Sequence, residues 1–282
     1  MANTPPNLDA TREDGSGSYL SGLYVYPIKS AGGLSLGASD VDERGLRYDR
    51  RWMLVDETGC FMSQRRFPRM ALIGIRIEPD HLVVDAPGMP SLEVQLRPIT
   101  GRLMLARVWD DLVEGLKVSD DADRWFGEFL GVRCRLVYLS DESVRPVDPA
   151  YGRPGDRVGL ADGFPFLLIS EASLSDLNAR LEQPVPMNRF RPNLVVRGCQ
   201  PFAEDGWKLV RVGSLTFSVV KPCSRCTITT VDQGSAVMGK EPLRTLARFR
   251  KVGTKVLFGQ NLIHDGVGTL SVGDPIEVVQ AR

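Results

Sequence analysis

Residues 215–232 read LTFSVVKPCSRCTITTVD, and the reading of the chain turns on this stretch. LTFSVV has the composition of a strand and TITTVD that of another, so Cys223 and Cys226 are expected between two strands. A C-x-x-C pair that works as a dithiol normally opens a helix, whose dipole lowers the thiol pKa. The β-formers Thr227, Ile228, Thr229, Thr230 and Val231 withdraw that support. A zinc half-site needs two further ligands at sensible spacing, whereas Cys60, Cys134, Cys199, His81 and His264 are scattered singly. Both readings are weakened rather than closed, and two more stand beside them: small buried residues without chemistry, or a thiolate that ligates a soft redox metal carried on a cofactor, with Lys221 and Arg225 supplying positive charge beside it.

The same β texture extends outward. From Tyr19 to about Val118, the runs LYVYPI, RRWMLV, ALIGIRI, HLVVDA and SLEVQL are bounded by Gly, Pro and Asp, the pattern of strands in a sandwich or barrel. FPFLLIS, NLVVRG, KLVRVG and PIEVV add further strand candidates. Helices are expected at three places. Ser119 can cap one, with Asp120, Asp121 and Asp123 at the positive end of its dipole, Ala122, Trp125, Phe126, Phe129 and Leu130 on one stripe, and Gly131 at its end. Ser170 can cap a second through Leu181, with Pro184 beyond it. A third is expected near Leu243 to Arg250, with Pro242 at its first position.

A chain of 282 residues is one large domain or two ordinary ones. The helix after Ser119 and the strand CRLVYL mark the expected seam. The division is then a loose tail over 1–18, an N-terminal domain over 19–140 and a C-terminal domain over 141–282, with the Pro-, Gly-, Asp- and Arg-rich segment 141–160 as a connection or site loop. At 43% hydrophobic and 25% charged residues the chain is globular in class, not disordered, collagenous or coiled-coil. Thirty-five basic against 35 acidic residues leave no net field to hold a nucleic acid. No apolar run approaches the roughly 18–20 residues of a bilayer span, and residues 1–18 have neither the apolar core of a secretory signal nor the arginines of a transit peptide. The expectation is a soluble, cytoplasmic protein with neither nucleic acid nor membrane as partner. Five cysteines are too few and too uneven for a disulfide framework, so the thiols are expected reduced.

Three other strings have the makings of anion sites. Tyr26-Pro-Ile-Lys-Ser30 leads into Ala31-Gly-Gly33, a turn whose backbone N–H groups could join Lys29 and Ser30 in holding a phosphate. Residues 44–69 hold seven arginines against three acids, and Arg189, Arg191 and Arg197 stand in NRFRPNLVVR without an acid. The plain alternative for any one of them is a stem lying on apolar surface under a solvated head. The glycine-rich G-x-G-x-x-G and P-loop strings do not occur. Asp162-Gly163, Asp205-Gly206 and Asp232-Gln-Gly234 read as turns.

Taken in order, VYPIKS, Asp49-Arg50-Arg51-Trp52, LLISEASLSDLN, Phe190-Arg191-Pro192-Asn193, CSRCTITTVD, KEPLRTL and LFGQN resemble the MOSC proteins that carry an N-terminal β-barrel domain, the family of the mitochondrial amidoxime-reducing component and of bacterial YcbX-type proteins. The resemblance covers nearly the whole chain from Tyr19 onward. It implies a mainly β (α+β) fold, an N-terminal β-barrel-like domain followed by a C-terminal MOSC β-barrel with peripheral helices, the cofactor lying where the halves meet. It also implies the molybdenum cofactor, a pterin dithiolene with a terminal phosphate. Cys226 matches the metal ligand, Ser224 and Arg225 match contacts in the same loop, and Lys29, Ser30, Arg50, Arg191 and Asn193 match positions that hold the pterin and its phosphate. The string Gly163-Phe164-Pro165-Phe166 departs from the polar pair that relatives carry there, and Asn261 stands where some have an aromatic.

What the family does is reduce N-hydroxylated compounds such as amidoximes, hydroxylamines and N-hydroxylated base analogues. The expected activity is therefore a molybdenum-dependent oxidoreductase that abstracts the oxygen atom of N–OH at the metal, the cofactor carrying the redox chemistry. Asp232, six residues past the ligand, is a candidate for proton delivery, with a turn carboxylate as its plain alternative. No cysteine follows Cys226, so a separate reductase, a flavin or iron–sulfur protein, is expected to supply electrons. The rival readings are a carrier of the cofactor or of persulfide sulfur on the same thiol, and a zinc-bound or thiol-only structural domain.

Overall fold

The computed structural model describes residues 17–98 and 101–282, and of the expected tail residues 1–16 lie outside the described residues. Seven strands close into a barrel: β1 (Ser18–Val25), β2 (Phe166–Ser170), β3 (Leu194–Arg197), β4 (Trp207–Val212), β5 (Leu215–Arg225), β6 (Lys255–Asp265) and β7 (Pro275–Ala281). Around the barrel the order is β2-β3-β1-β7-β4-β5-β6, and pairing of β2 with β6 closes the ring. Only β2 and β3 run parallel. The chain's first strand thus sits between strands that arrive more than 150 residues later, with Tyr19 opposite both Arg197 and Pro275. Side chains alternate across each strand, so Leu215, Phe217 and Val219 of β5 point into one core with Leu20, Phe166, Leu194, Val210 and Leu262.

The N-terminal half adds two antiparallel sheets. In one, Trp52–Val55, Arg135–Tyr138, Asp111–Lys117 and Leu103–Val108 lie in that order; in the other, Gly74–Ile77, His81–Asp85 and Leu92–Gln95 do. Helix α1 (Asp120–Leu130) covers their second core: Ser119 Oγ accepts from Ala122 N–H at 3.0 Å, and Gly131 ends the helix at φ 71°. Trp125, Phe126 and Phe129 pack with Trp52, Leu54, Ile75 and Val84. The fold is mainly β, with three α-helices among the described residues.

Three local expectations need correction. Helix α2 (Glu171–Asn178) stops short of Leu181, because its last turn tightens to i→i+3 bonds and the Asn178 side chain is drawn off to Val185, donating to its carbonyl and accepting from its N–H. Helix α3 (Leu243–Phe249) has Pro242 as its N-cap, one position before the first helical residue where it was expected. Of ALIGIRI, only Gly74–Ile77 is a strand; its first residues end a 3₁₀ turn over Pro68–Leu72. The largest departure concerns TITTVD. Residues Thr227–Thr230 form a 3₁₀ turn rather than a strand. Thr229 Oγ1 donates to the Cys226 carbonyl at 2.9 Å and Thr230 Oγ1 to the Thr227 carbonyl at 2.8 Å, local bonds that satisfy the backbone in place of a ladder.

Candidate active site

The four basic strings converge because two of them are stitched side by side. Just past β1, Lys29 N–H donates to the Trp52 carbonyl and Trp52 N–H to the Pro27 carbonyl, while Arg50 N–H donates to the Tyr26 carbonyl. The Tyr26 N–H in turn donates to Asp49 Oδ1 at 2.8 Å. The third string joins through side chains: Tyr26 OH donates to the Pro192 carbonyl, and Arg191 Nη1 donates to the Ala31 carbonyl at 2.6 Å. The fourth is attached by Arg225 Nη2, which donates to the Phe190 carbonyl at 2.6 Å.

Strand β5 carries the cysteines to this junction. Its register against β6 shifts between Val219 and Lys221 and again between Pro222 and Ser224. Such bulges bend a strand and re-aim its side chains, and Pro222, which has no N–H to give a ladder, suits the second one. The strand then breaks at Cys226, whose backbone is held by Thr229.

All eight expected cofactor-contact residues line one cleft that opens to solvent. Lys29, Ser30 and Arg50 come from the N-terminal strings, Arg191 and Asn193 from the entry to β3, and Ser224, Arg225 and Cys226 from the end of β5. Ser30, Arg50 and Arg191 all have left-handed backbones, at φ 67°, 45° and 56°. Each such non-glycine residue costs about 1–3 kcal/mol, and residues of this kind collect at functional sites.

The cleft is cationic and incompletely satisfied. Arg50 and Arg191 stack on Tyr26 with guanidinium carbons 4.3 and 4.2 Å from its centroid. Arg50 Nη1 also donates to Asp49 Oδ2 at 2.6 Å, and burial, opposed by Arg50, raises the Asp49 carboxyl above its ordinary range. Burial pushes Arg191 down to about 10, which leaves it charged at neutral pH. Two buried donors lining the cleft, Arg191 Nη2 and Arg225 Nε, have no partner among the described residues. Buried donors left without acceptors are expensive, and two of them on arginines of one cleft suit an anion site.

The two cysteines differ in their use. Cys223 Sγ accepts from Arg225 Nη1 at 2.9 Å, while Cys226 stands at the strand break with its side chain in the cleft lining. All five cysteines are free. Among the described residues no three His, Cys, Asp or Glu side chains gather as a metal-ligand group, so the zinc reading finds no partners for this pair.

Asp232 is the one expected site residue that the structure does not bring to the cleft. Its Oδ2 accepts from Arg189 at 2.9 Å and its Oδ1 from the Ser235 hydroxyl and the Gly234 and Ser235 N–H groups. The Ser235 and Gly234 donors, with Arg189, hold its carboxyl below its ordinary range. It is an ionised turn carboxylate, and its placement gives no support to proton delivery.

Most of the remaining arginines are structural. Arg44 Nη2 donates to the carbonyls of Asp141 and Ser143, Arg51 binds the Leu139 carbonyl and Asp141, and Arg197 pairs with Glu171. Sequence reasoning overlooked Asp162, read there as a turn residue. Its Oδ1 lies 2.5 Å from Lys29 Nζ, which also donates to the Leu160 carbonyl. Burial opposes ionisation of Asp162, but Lys29 and then Arg65 outweigh it and hold the carboxyl well below its usual range. Its one sequence signal was the Pro- and Gly-rich loop that precedes it.

Comparison with known proteins shows the family. Residues 17–133 match the MOSC N-terminal beta barrel domain, and residues 155–277 match the MOSC domain. The chain is 38% identical over 273 residues to mitochondrial amidoxime-reducing component 1 of Mus musculus, across 90% of this chain and 80% of the relative. It is 36% identical to component 1 of Homo sapiens, across 90% and 81%, and 34% identical to component 2 of Rattus norvegicus, across 91% and 82%.

Proposed function

Because this chain belongs to the family that joins a MOSC N-terminal beta barrel domain to a MOSC domain and includes the mitochondrial amidoxime-reducing components, we propose that it is a molybdenum-cofactor-dependent reductase of N-hydroxylated compounds. The observation that carries this reading is the cleft itself: a cysteine at a strand break lines the same space as two arginines that each keep a buried N–H without an acceptor.

The donor set suits a pterin cofactor with a terminal phosphate. Cys226 offers the soft sulfur that selects such a metal. Arg191 Nη2 and Arg225 Nε offer charge-assisted hydrogen bonds to anionic oxygen. Lys29 and Arg50 add charge while tethered to Asp162 and Asp49, so they are oriented before anything binds. Bound here, the cofactor supplies the two-electron reduction in which the N–O bond of an amidoxime breaks, two protons are consumed, and amidine and water leave.

The protein's own share is to bind and orient. Tyr26, between Arg50 and Arg191, spaces the two cations, and its buried hydroxyl is pushed up from its ordinary pKa and stays neutral. Electrons come from a separate donor protein. The test is anaerobic turnover, with an artificial electron source, of protein produced in a host that makes the cofactor. Benzamidoxime and hydroxylamine are expected to be consumed with water and the amidine or ammonia as products. Molybdenum-loaded protein that consumes neither would overturn the reductase reading in favour of a cofactor or sulfur carrier.

A further inference from the structure

Gln64 is fully buried, and its side-chain amide crosses from the segment matched to the MOSC N-terminal beta barrel domain to the one matched to the MOSC domain. Glutamine is mostly a surface residue, and a buried one is tolerated where its polar atoms are matched. Here the match is complete. Gln64 Nε2 donates to the Ser30 carbonyl at 2.8 Å and to Gln233 Oε1 at 3.2 Å, while Gln233 Nε2 donates to Gln64 Oε1 at 2.9 Å and to the Val231 carbonyl at 3.0 Å. The two carboxamides face each other in a reciprocal pair, and every side-chain N–H of both is used. Their orientation is fixed from outside the pair, because the Ser30 and Val231 carbonyls can only accept and so require the nitrogen end of each amide.

The two ends of this pair attach to opposite walls of the cleft. Ser30 lines it on one side beside Lys29, in a left-handed backbone at φ 67°. On the other, Cys226 and Val231 bracket the 3₁₀ turn Thr227–Thr230, with Thr229 N–H donating to the Cys226 carbonyl and Val231 N–H to the Ile228 carbonyl. Threonine hydroxyls bond within that turn, and Arg189 ties it to its own domain, 3.5 Å from the Thr229 carbonyl and 2.9 Å from Asp232. The amide pair ties it to the N-terminal domain. Neither glutamine lines the cleft or carries a charge, so the pair offers a cofactor nothing directly. What it can set is where Cys226 stands relative to the residues of the facing wall.

We propose that Gln64 and Gln233 are positioning residues for the metal ligand: through their paired amides the N-terminal domain fixes the turn that begins at Cys226, and with it the placement of the thiol relative to Lys29, Ser30 and Arg50. The proposal rests on the cofactor reading above. It requires amide against amide, since a carboxylate at position 64 would set oxygen against the Ser30 carbonyl and remove the donors that hold it.

The test uses the full chain, with and without cofactor, as wild type, Gln64→Glu, Gln233→Ala and the double variant. Gln64→Glu keeps the volume of the buried side chain, and Gln233 is only half-buried, so Gln233→Ala leaves the core intact. Without cofactor, the Thr229 and Val231 amides are expected to exchange hydrogen roughly tenfold faster in each single variant, the scale of one or two neutral hydrogen bonds, with helix α1 unchanged. In loaded protein, molybdenum and pterin are expected to be lost on dialysis roughly three- to tenfold faster than from wild type. The double variant is expected to match the worse single one, because one contact can be removed only once. Exchange within about twofold of wild type in both single variants overturns the proposal, as does a rise shared equally by helix α1, which is general loosening. Additive effects in the double variant overturn it too, and faster exchange with unchanged cofactor loss overturns the role in placing the ligand. A wild type that takes up no molybdenum ends the cofactor reading by itself, and the exchange arm, run without cofactor, still decides whether the N-terminal domain holds the Cys226 turn.

Discussion

The Arg50 guanidinium donates through Nη1 to the Asn193 side-chain oxygen at 3.0 Å, across 143 residues of chain. That oxygen also accepts from Leu167 N–H at 3.2 Å, and the Asn193 amide donates to the Tyr24 carbonyl at 3.1 Å. Asn193 lines the cleft, yet its polar atoms are engaged by the protein. It is a positioning residue that ties Arg50 to β1 and β2, and its contribution to a cofactor is the aim of that guanidinium.

Asn193→Ala should therefore act on stability as well as on the site. The Leu167 N–H and Tyr24 carbonyl each lose a partner, and buried groups left in that way cost about 1–3 kcal/mol apiece. A lower denaturation midpoint together with reduced pterin content is expected. A full-strength midpoint would show that water or another side chain replaces the amide.

The two cysteines should separate cleanly. Cys226→Ser is expected to lower bound molybdenum by more than about tenfold, since even the outer partners of a metal ligand are worth that much. Cys223→Ser, which alters only an acceptor for Arg225, should retain the metal. Elemental analysis of the purified variants reads both, and a loss confined to Cys223→Ser would reassign the ligand.

Arg191 can be tested through the geometry of its donors. Burial lowers its pKa, but a guanidinium keeps its proton over the whole range in which the protein is handled. Arg191→Lys keeps a charge but not the fork of donors, and is expected to retain roughly tenfold less pterin after gel filtration. Equal retention by both proteins would remove Arg191 from the anion site.

His264 should shape the acid side of the stability curve. Burial lowers its pKa below the ordinary 6.5; Nε2 lies 2.8 Å from the Asp42 carbonyl while Nδ1 is buried without a partner. Because the unfolded chain takes up this proton more readily, stability is fully present above about pH 6.5 and is lost as pH falls from there toward the folded value. The drop in melting temperature between pH 7.5 and 5.5 should shrink in His264→Gln. An equal drop in both proteins would place the acid sensitivity elsewhere.

Local signals in the chain proved sound where the contacts that decide them are local. Ser119 and Gly131 bracket α1 as expected, because a cap bonds to an N–H three residues away. Thr227–Thr230 misled for the same kind of reason: β propensity is a preference for a pleated surface, and here threonine hydroxyls bonding back to carbonyls won instead. The arginine-rich segment 44–69 was legible as charge, but not as a site. Arg50 faces the cleft, whereas Arg44 and Arg51 are spent on carbonyls of the segment after residue 138.

By itself the sequence determined the β texture, the capped helices, the cysteine pair and the inventory of cations, since each rests on residue type and on spacing over a few positions. Only the tertiary structure decided that the first strand completes a barrel with strands from the far end, that Asp162 stands at the cleft while Asp232 does not, and that Arg191 and Arg225 keep N–H groups unspent. The reason is that a long polar side chain is directed by whichever carbonyls and carboxylates fold up against it. Those partners arrive from distant parts of the chain, with no periodicity to announce them.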